Sequence, residues 1–443
     1  MSQEGLNNLD DFGHRINIIP AEVKGYYHDR RFWFQWFLIV VFLAIPWIHI
    51  NGSQLILLNL PDRKFSFFGY TFLAHDGPLV FLILAILTLG LALMTSVFGR
   101  AWCGWGCPQT VFIERIYRGI EILVEGKYIQ RRKLYKQEMN LEKLTKTMIK
   151  WFLFFVVSSL IAHSFIAYFA GSKELTRMVL SNHPQDNWAY FLIISGMTVV
   201  LLFDFGWFRE QFCIIMCPYG RFQSVLMDED SLAIMYDEKR GDCVQCNRCV
   251  QVCPTGIDIR KGLQMECIAC TACADACDEI MVKVNKPKKL ISYNSISQKG
   301  VVFLKPRVLV YGLIILVSII VLTTNVARRS PYYASLLRAK DIPYQILNDG
   351  KILNHLKIHI LNQSKAPQEF EIMLPEDLKG KGITVTVPNQ TILTEAGAES
   401  TVHFFVMFPR EVLNQGALEV SFTINEKLTG IIEQKIVTLS GPI

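Results

Sequence analysis

Cysteine never stands alone in this sequence. All twelve cysteines fall in four tight groups, Cys103/Cys107, Cys213/Cys217, Cys243/Cys246/Cys249/Cys253 and Cys267/Cys270/Cys273/Cys277, and none follows Cys277. A disulfide framework scatters cysteines over a small secreted fold, so this spacing excludes one and points to metal ligands kept reduced. Charge is also scarce, with 19% charged against 51% hydrophobic residues, a membrane-leaning balance. The net charge of +6 is modest, and the basic residues lie beside apolar runs. That pattern reads as membrane topology and gives no indication of nucleic-acid binding. A Gly-rich dinucleotide turn is lacking too, since Gly104 and Gly106 sit inside a cysteine motif. Hydride chemistry is therefore not indicated.

The 443 residues suffice for two or three domains. Five apolar runs approach the ~20 residues that span a bilayer as helix: Phe32–Ile50, Gly77–Gly99, Trp151–Gly171, Asn187–Phe208 and Val308–Ala327. The first begins late, lacks a small-residue cleavage site and ends in Pro46-Trp47, unlike a signal peptide. Trp33, Trp36, Trp47, Trp151, Trp188 and Trp207 lie near span ends, as an aromatic belt requires. A soluble core is the competing reading of such runs.

Lysine and arginine set the expected orientation. Segment 100–150 carries Arg115, Arg118, Lys127, Arg131, Arg132, Lys133 and Lys136, and segment 209–307 is similarly basic, whereas loops 51–76 and 172–186 are poor in both. The positive-inside rule places the N-terminus and both basic segments in the cytoplasm and the C-terminus outside. Arg328 and Arg329 argue the other way but are outweighed by Lys286, Lys288, Lys289, Lys305 and Arg307. Every cysteine then faces the compartment that keeps thiols reduced.

The fold expected is a multi-domain membrane protein. Residues 1–31 form an N-terminal cytoplasmic segment, 32–208 a four-helix transmembrane region, and 209–307 a cytoplasmic ferredoxin-like insert. A fifth transmembrane helix follows at 308–327, and an external Ig-like β-sandwich at 328–443. The sandwich rests on short alternating stretches, Leu356–Leu361, Phe370–Met373, Ile383–Val387, Thr401–Met407 and Leu418–Ile424, separated by turn signals. It shows no catalytic constellation, so docking or structure is its expected role.

Cys243-x2-Cys246-x2-Cys249-x3-Cys253-Pro254 is the bacterial ferredoxin ligand run, with Gly256 easing the backbone behind it. Cys267-x2-Cys270-x2-Cys273-x3-Cys277 repeats it, followed by Asp278 where the first run has proline. In two-cluster ferredoxins the fourth cysteine ligates the other cluster. Cys243, Cys246, Cys249 and Cys277 are thus assigned to one [4Fe–4S] cluster, and Cys267, Cys270, Cys273 and Cys253 to the second. A pair of zinc sites is the alternative. Clusters with no open iron position move single electrons, so electron transfer is the function indicated.

Cys103-Gly-Trp-Gly-Cys107-Pro108 follows the second span and Cys213-Ile-Ile-Met-Cys217-Pro218 the fourth, an imperfect internal repeat. On a helix, residues i and i+4 share a face, which presents each pair together, and packed hairpins bring all four thiols to one place. Three readings stand: a copper or redox-active dithiol site, a further iron–sulfur centre, or structural cysteines. Met216 is a possible thioether ligand, though packing explains it equally. His49, His75, His163 and His183 lie at or near external span ends and are read as structural, and Asp204 as interfacial or a proton carrier.

Together these motifs resemble the cytochrome c oxidase accessory proteins called CcoG, FixG or RdxA. The resemblance is carried by Asp62-Arg-Lys-Phe-Ser-Phe-Phe-Gly69, Phe98-Gly-Arg-Ala-Trp-Cys-Gly-Trp-Gly-Cys-Pro-Gln-Thr110, Cys213-Ile-Ile-Met-Cys-Pro-Tyr-Gly-Arg-Phe-Gln223 and the Cys243–Cys277 block. It runs from about residue 15 into the sandwich. It implies a bacterial inner-membrane protein that reduces Cu(II) to Cu(I) during assembly of cbb3-type cytochrome c oxidase. The oxidase or its copper-delivery factors are then partners, beside an unidentified electron donor and the lipid bilayer. Carried over, Cys103, Cys107, Cys213 and Cys217 look like the copper-handling, catalytic site, and the eight ferredoxin cysteines like its electron supply. A membrane relay from quinol to a periplasmic reductase shares the cysteine motifs but not usually the sandwich. A non-catalytic assembly scaffold is the remaining alternative.

Overall fold

The computed structural model describes residues 18–50, 53–61, 64–68, 70–72, 76–181, 187–297, 305–327, 330–339, 342–364, 366–373, 382–387, 391–395, 397–427 and 430–442. His75, His183, Arg328 and Arg329 lie outside them, as do most of the 1–31 segment and parts of the Asp62–Gly69 motif. The chain divides into two compact units, Met1–Leu322 and Thr323–Ile443.

In the first unit, helices α1 (Tyr26–Ala44) and α2 (Gly77–Phe98) flank a β-rich excursion. That excursion is a hairpin of β1 (His49–Ile50) and β2 (Ser53–Gln54), then a three-stranded antiparallel sheet of β3 (Ile56–Asn59), β4 (Lys64–Phe67) and β5 (Tyr70–Phe72). Helix α2 ends at Gly99, whose φ of +56° suits glycine and whose missing Cβ leaves room for the Leu232 carbonyl. Short helices α3 (Ala101–Trp105) and α4 (Pro108–Phe112) follow. A π-turn (Ile113–Tyr117) leads into α5 (Arg118–Glu125) and then α6 (Tyr128–Lys136). Asn140 caps α7 (Leu141–Ala170) through Lys143 N at 2.8 Å, and Gly171 closes it. Then come α8 (Ser172–Ser181) and α9 (Trp188–Phe203), the latter prolonged by a π-turn to Phe208.

Among the described residues four helices are long and apolar enough to cross a membrane: Gly77–Phe98, Leu141–Ala170, Trp188–Phe208 and Pro306–Ala327. The first of the five expected spans, Phe32–Ile50, differs. Helix α1 opens on Asp29, Arg30 and Arg31, and at Ala44 it gives way to a 3-10 turn containing Pro46. Its apolar stretch from Phe32 rises only ~20 Å at 1.5 Å per residue, against the ~30 Å of a bilayer core. It still belongs to the bundle: Ile39 packs with Phe112, Phe154 and Phe205, and Tyr168 Oη donates to the Phe42 carbonyl at 2.7 Å. The span Pro306–Ala327 (α13 below) has no residue buried by the rest of the chain, as a lipid-facing helix requires.

Beyond α9 a third π-turn (Phe212–Met216) precedes α10 (Pro218–Leu226). The ferredoxin-like segment comprises β6 (Ala233–Tyr236), α11 (Arg248–Gln251), α12 (Ala272–Lys283) and β7 (Ile291–Asn294), with β6 and β7 paired antiparallel. Helix α13 (Pro306–Ala327) follows.

The second unit is a β-sandwich. One sheet has the order β12 (Thr384–Thr386), β14 (Glu399–Phe408), β10 (Ile352–Asn362), β8 (Tyr332–Arg338), with β9 (Gln345–Ile346) also on β10. The other runs β13 (Ile392–Thr394), β11 (Gln368–Met373), β15 (Ala417–Glu426), β16 (Ile432–Ser440). Strand β10 buries Ile352, Asn354, Leu356, Ile358 and Ile360 in strict alternation, the period of two that points alternate side chains inward. These meet Phe404, Val406 and Phe408 of β14 and Val420, Phe422 and Ile424 of β15 in one core.

Candidate functional site

The two ferredoxin runs fold alike. Gln245 and Asn247 in the first, and Ala269 and Thr271 in the second, have φ of 51°, 56°, 51° and 63°. Non-glycine residues pay to adopt this left-handed conformation, and such outliers cluster at functional sites. Here they curl the loop so that amides face the sulfurs: Gln245 N–H donates to Cys243 Sγ and Ala269 N–H to Cys267 Sγ, both at 3.4 Å. Gly256 has φ of +73° behind the first run.

Two cysteine-lined cavities result. Cys243, Cys246, Cys249 and Cys277 face one, walled by Tyr236, Ile280 and Leu290. Cys253, Cys267, Cys270 and Cys273 face the other, with Ile234, Ile257, Ile259 and Ile268 and with Cys249 in the shared wall. Each fourth cysteine thus faces the cavity of the opposite run. Four thiols set around a cavity suit a polynuclear cluster held by cysteine thiolates. Burial pushes the thiols up, Cys267 and Cys277 to about 12 and Cys273 well above its ordinary value. Bare thiolates are therefore disfavoured there, and a cationic iron core held by these cysteines would supply the compensating charge.

The other four cysteines adjoin this segment but not as expected. Cys103 lies in α3 and Cys213 in the third π-turn, while Cys107 and Cys217 are extended, with ψ of 127° and 109°. Each pair straddles a helix break and does not share one helical face. The cause is Pro108 and Pro218, which force the preceding residue out of the α region and start a new helix at its first position. The four thiols are still mutual neighbours. Cys107 raises the Cys103 thiol, and Cys107, Cys103 and Cys217 all raise Cys213, in both cases after burial as the largest cause. Cys103 reaches about 12, held down in part by Gln223, whose Oε1 accepts its S–H at 3.2 Å, and by Arg100. Cys107 is lowered by the Gln109 and Thr110 amides of the new helix, against a larger rise from burial.

Close packing joins the two sets. A Cβ on Gly104 would lie 2.6 Å from Ile268 O and 2.7 Å from Cys270 Cα, so only glycine lets these backbones meet. Cys103 and Cys213 pack against the apolar cluster that contains Ile268, Cys270 and Ala272. Trp105 Nε1 donates to Tyr293 Oη at 3.0 Å, and Tyr293 Oη donates to Ala269 O at 2.8 Å. Arg31 donates to the Cys270 carbonyl, and Gln35 Nε2 to the Gly104 carbonyl at 3.2 Å. Asp275, between Cys273 and Cys277, accepts the Tyr27 and His28 amides at 3.1 and 2.7 Å and so caps α1. Arg118 bridges Glu114 and Glu210 nearby.

Sequence reasoning gave no site role to Gln223, Asp275, Tyr293 or Arg31, although Gln223 closes the Cys213–Gln223 motif and Asp275 lies inside the second ferredoxin run. Gly104 did carry a signal as glycine inside Cys-Gly-Trp-Gly-Cys. Met216 is 62% exposed. His49 contacts Ser172 Oγ and the Trp47 carbonyl, His163 contacts Ser159 O at 2.7 Å, and Asp204 accepts from Gln109 Nε2 at 2.9 Å. All three have structural partners.

Comparison with known proteins places this geometry. Over 433 residues the chain is 30% identical to RdxB of Cereibacter sphaeroides, spanning 87% of this chain and 88% of that protein. The chain is a member of the FixG/RdxA family. It is 33% identical to RdxA of the same organism over 65% of this chain and 64% of RdxA. To the nitrogen fixation protein FixG of Rhizobium meliloti it is 35% identical over 64% of this chain and 58% of FixG. A 4Fe-4S dicluster domain matches residues 208–242 and 238–296, and a 4Fe-4S binding domain matches 79–133. The Ig-like fold at the C-terminus of FixG matches residues 322–442. Among solved structures, a FixG-related protein from Vibrio parahaemolyticus aligns over 26% of this chain and all of that one at 15% identity. Its TM-score of 0.23 is too low to bear on the fold. This member of the family is therefore a multi-pass membrane iron–sulfur electron-transfer protein.

Proposed function

We propose that the chain is a cupric reductase serving assembly of cbb3-type cytochrome c oxidase, with Cu(II) as substrate at Cys103, Cys107, Cys213 and Cys217. Cys243, Cys246, Cys249 and Cys277 hold one [4Fe–4S] cluster, and Cys253, Cys267, Cys270 and Cys273 the other. When bound, these clusters supply electrons one at a time. The contact of Gly104 with the Cys270 backbone carries the reading, because it leaves no layer of side chains or water between electron source and thiol site. One electron converts Cu(II) to Cu(I), and soft thiolates favour the reduced ion. Burial raises the Cys103 and Cys107 thiols overall, and Arg100 at Cys103 and the Gln109 and Thr110 amides at Cys107 offset part of that rise. The basic 100–150 and 209–307 segments support a cytoplasmic position for all twelve cysteines and an external sandwich.

The test is Cu(II)-dependent reoxidation of the reduced clusters in purified protein. Stoichiometric bleaching by Cu(II), lost in Cys103→Ala and Cys217→Ala while most iron stays bound, is the expected outcome. Indifference to Cu(II) together with turnover of a quinol sinks the proposal in favour of a quinol relay. A second reading, a third iron–sulfur centre at these four cysteines, is favoured by the 4Fe-4S domain match over residues 79–133. It requires the same two variants to lose about a third of the iron.

A further inference from the structure

Three of the nine histidines, His355, His359 and His403, lie on one face of the β10–β14 sheet of the sandwich. The neighbours of these residues on β10 and β14 point into the core (Asn354, Leu356, Ile358, Phe404), which leaves the histidines on the outer face. In the register His355 pairs with Phe405, Lys357 with His403 and His359 with Thr401, making His355 and His403 diagonal neighbours. His403 Nδ1 lies 2.9 Å from His355 Nε2, with ring centroids 5.0 Å apart at 43°. His355 is fixed from its other side by stacking on Phe405, centroids 4.7 Å apart at 22°.

We propose that His355 and His403 form a binding site for a divalent d-block ion, Cu(II) in preference to Zn(II). A neutral imidazole carries one N–H and one lone pair, so two ring nitrogens this close share one proton. Replacing that proton by a metal lets both lone pairs bind. The 2.9 Å separation is that of a hydrogen-bonded nitrogen pair, so both rings lie within reach of one ion, and the Irving–Williams order favours copper over zinc there. Turning the two lone pairs onto one ion takes rotation of the exposed His403 ring, while Phe405 holds His355 in place. The remaining positions fall to water.

His359 is a different case. Its Nδ1 is 3.0 Å from Glu399 Oε1 and 2.9 Å from Thr401 Oγ1, and it takes no part in the His355–His403 contact. It serves as the control. Lys357, opposite His403, is a cation on the same strand face and weakens the site. The inference is independent of chemistry at the membrane cysteines, because both ligands belong to the sandwich.

The test uses the full-length protein in detergent with its clusters oxidised. After the four membrane thiols have been blocked by alkylation, Cu(II) is followed by electron paramagnetic resonance and Zn(II) occupancy by competition with a chelating dye. Wild type and His359→Ala are expected to show a Cu(II) signal with coupling to two imidazole nitrogens. His355→Ala and His403→Ala each lose that coupling and bind Zn(II) at this site about tenfold or more weakly, the chelate being cut to one imidazole. Cluster absorbance stays at the wild-type level in all variants. Equal copper spectra and equal zinc titrations in wild type, His355→Ala and His403→Ala overturn the proposal.

Discussion

At Gly104 the contact is with backbone on every side: Ile268 O, Cys270 Cα and Ala269 C all lie within 2.8 Å of where a Cβ would stand. None of these atoms can rotate away, so Gly104→Ala must separate α3 from the second ferredoxin run. Overpacking of this kind costs about 1–3 kcal/mol. The predicted result is a lower melting temperature and lower iron per chain, because Cys270 is on the displaced backbone. Gly119→Ala, where a Cβ meets nothing within 4 Å, is predicted to keep wild-type iron. Iron content of the two variants side by side checks this. The glycine was visible in the motif, but what it meets lies more than 160 residues along the chain, and no local pattern announces such a contact.

Among the elements, the helix breaks at Pro108 and Pro218 matter most. They turn Cys107 and Cys217 into extended residues at the start of a helix, where amides can approach the sulfur. Pro218→Ala removes the restriction on Cys217 and lets the third π-turn run on into α10. Its predicted effect is reduced Cu(II)-dependent cluster oxidation at unchanged iron content, and wild-type rates in Pro218→Ala would show the break to be incidental. Helical spacing alone suggested a shared face because it left the prolines out. The first span was drawn too long because the apolar run Phe32–Ile50 continues through Pro46, where the helix gives way to a 3-10 turn. Strands were legible where alternation was strong, as in β10 and β14. Strand β16 was not, because Glu433, Gln434 and Lys435 interrupt its apolar residues and its half-exposed position at the sheet edge does not demand a clean pattern.

For the whole molecule, four membrane-length helices and twelve clustered cysteines define a protein that holds redox chemistry against a bilayer. The chain of contacts from Arg31 at Cys270 to Phe42 at Tyr168 has α1 running from the cysteines towards the far end of α7. The topology proposed above rests on the distribution of Lys and Arg, whose excess in segments 100–150 and 209–307 marks the cytoplasmic side by the positive-inside rule. A cysteine introduced at Glu419, in the cysteine-free sandwich, should react with an impermeant thiol reagent in intact cells, and one at Lys239 should not. Labelling in the reverse sense would invert the topology. The central claim concerns the clusters themselves. Iron and zinc per chain, measured on anaerobically purified protein with the spectrum of its reduced form, test it most directly. Two [4Fe–4S] clusters predict about eight iron atoms and a reducible cluster signal, whereas about two zinc ions and no reducible iron would contradict the account.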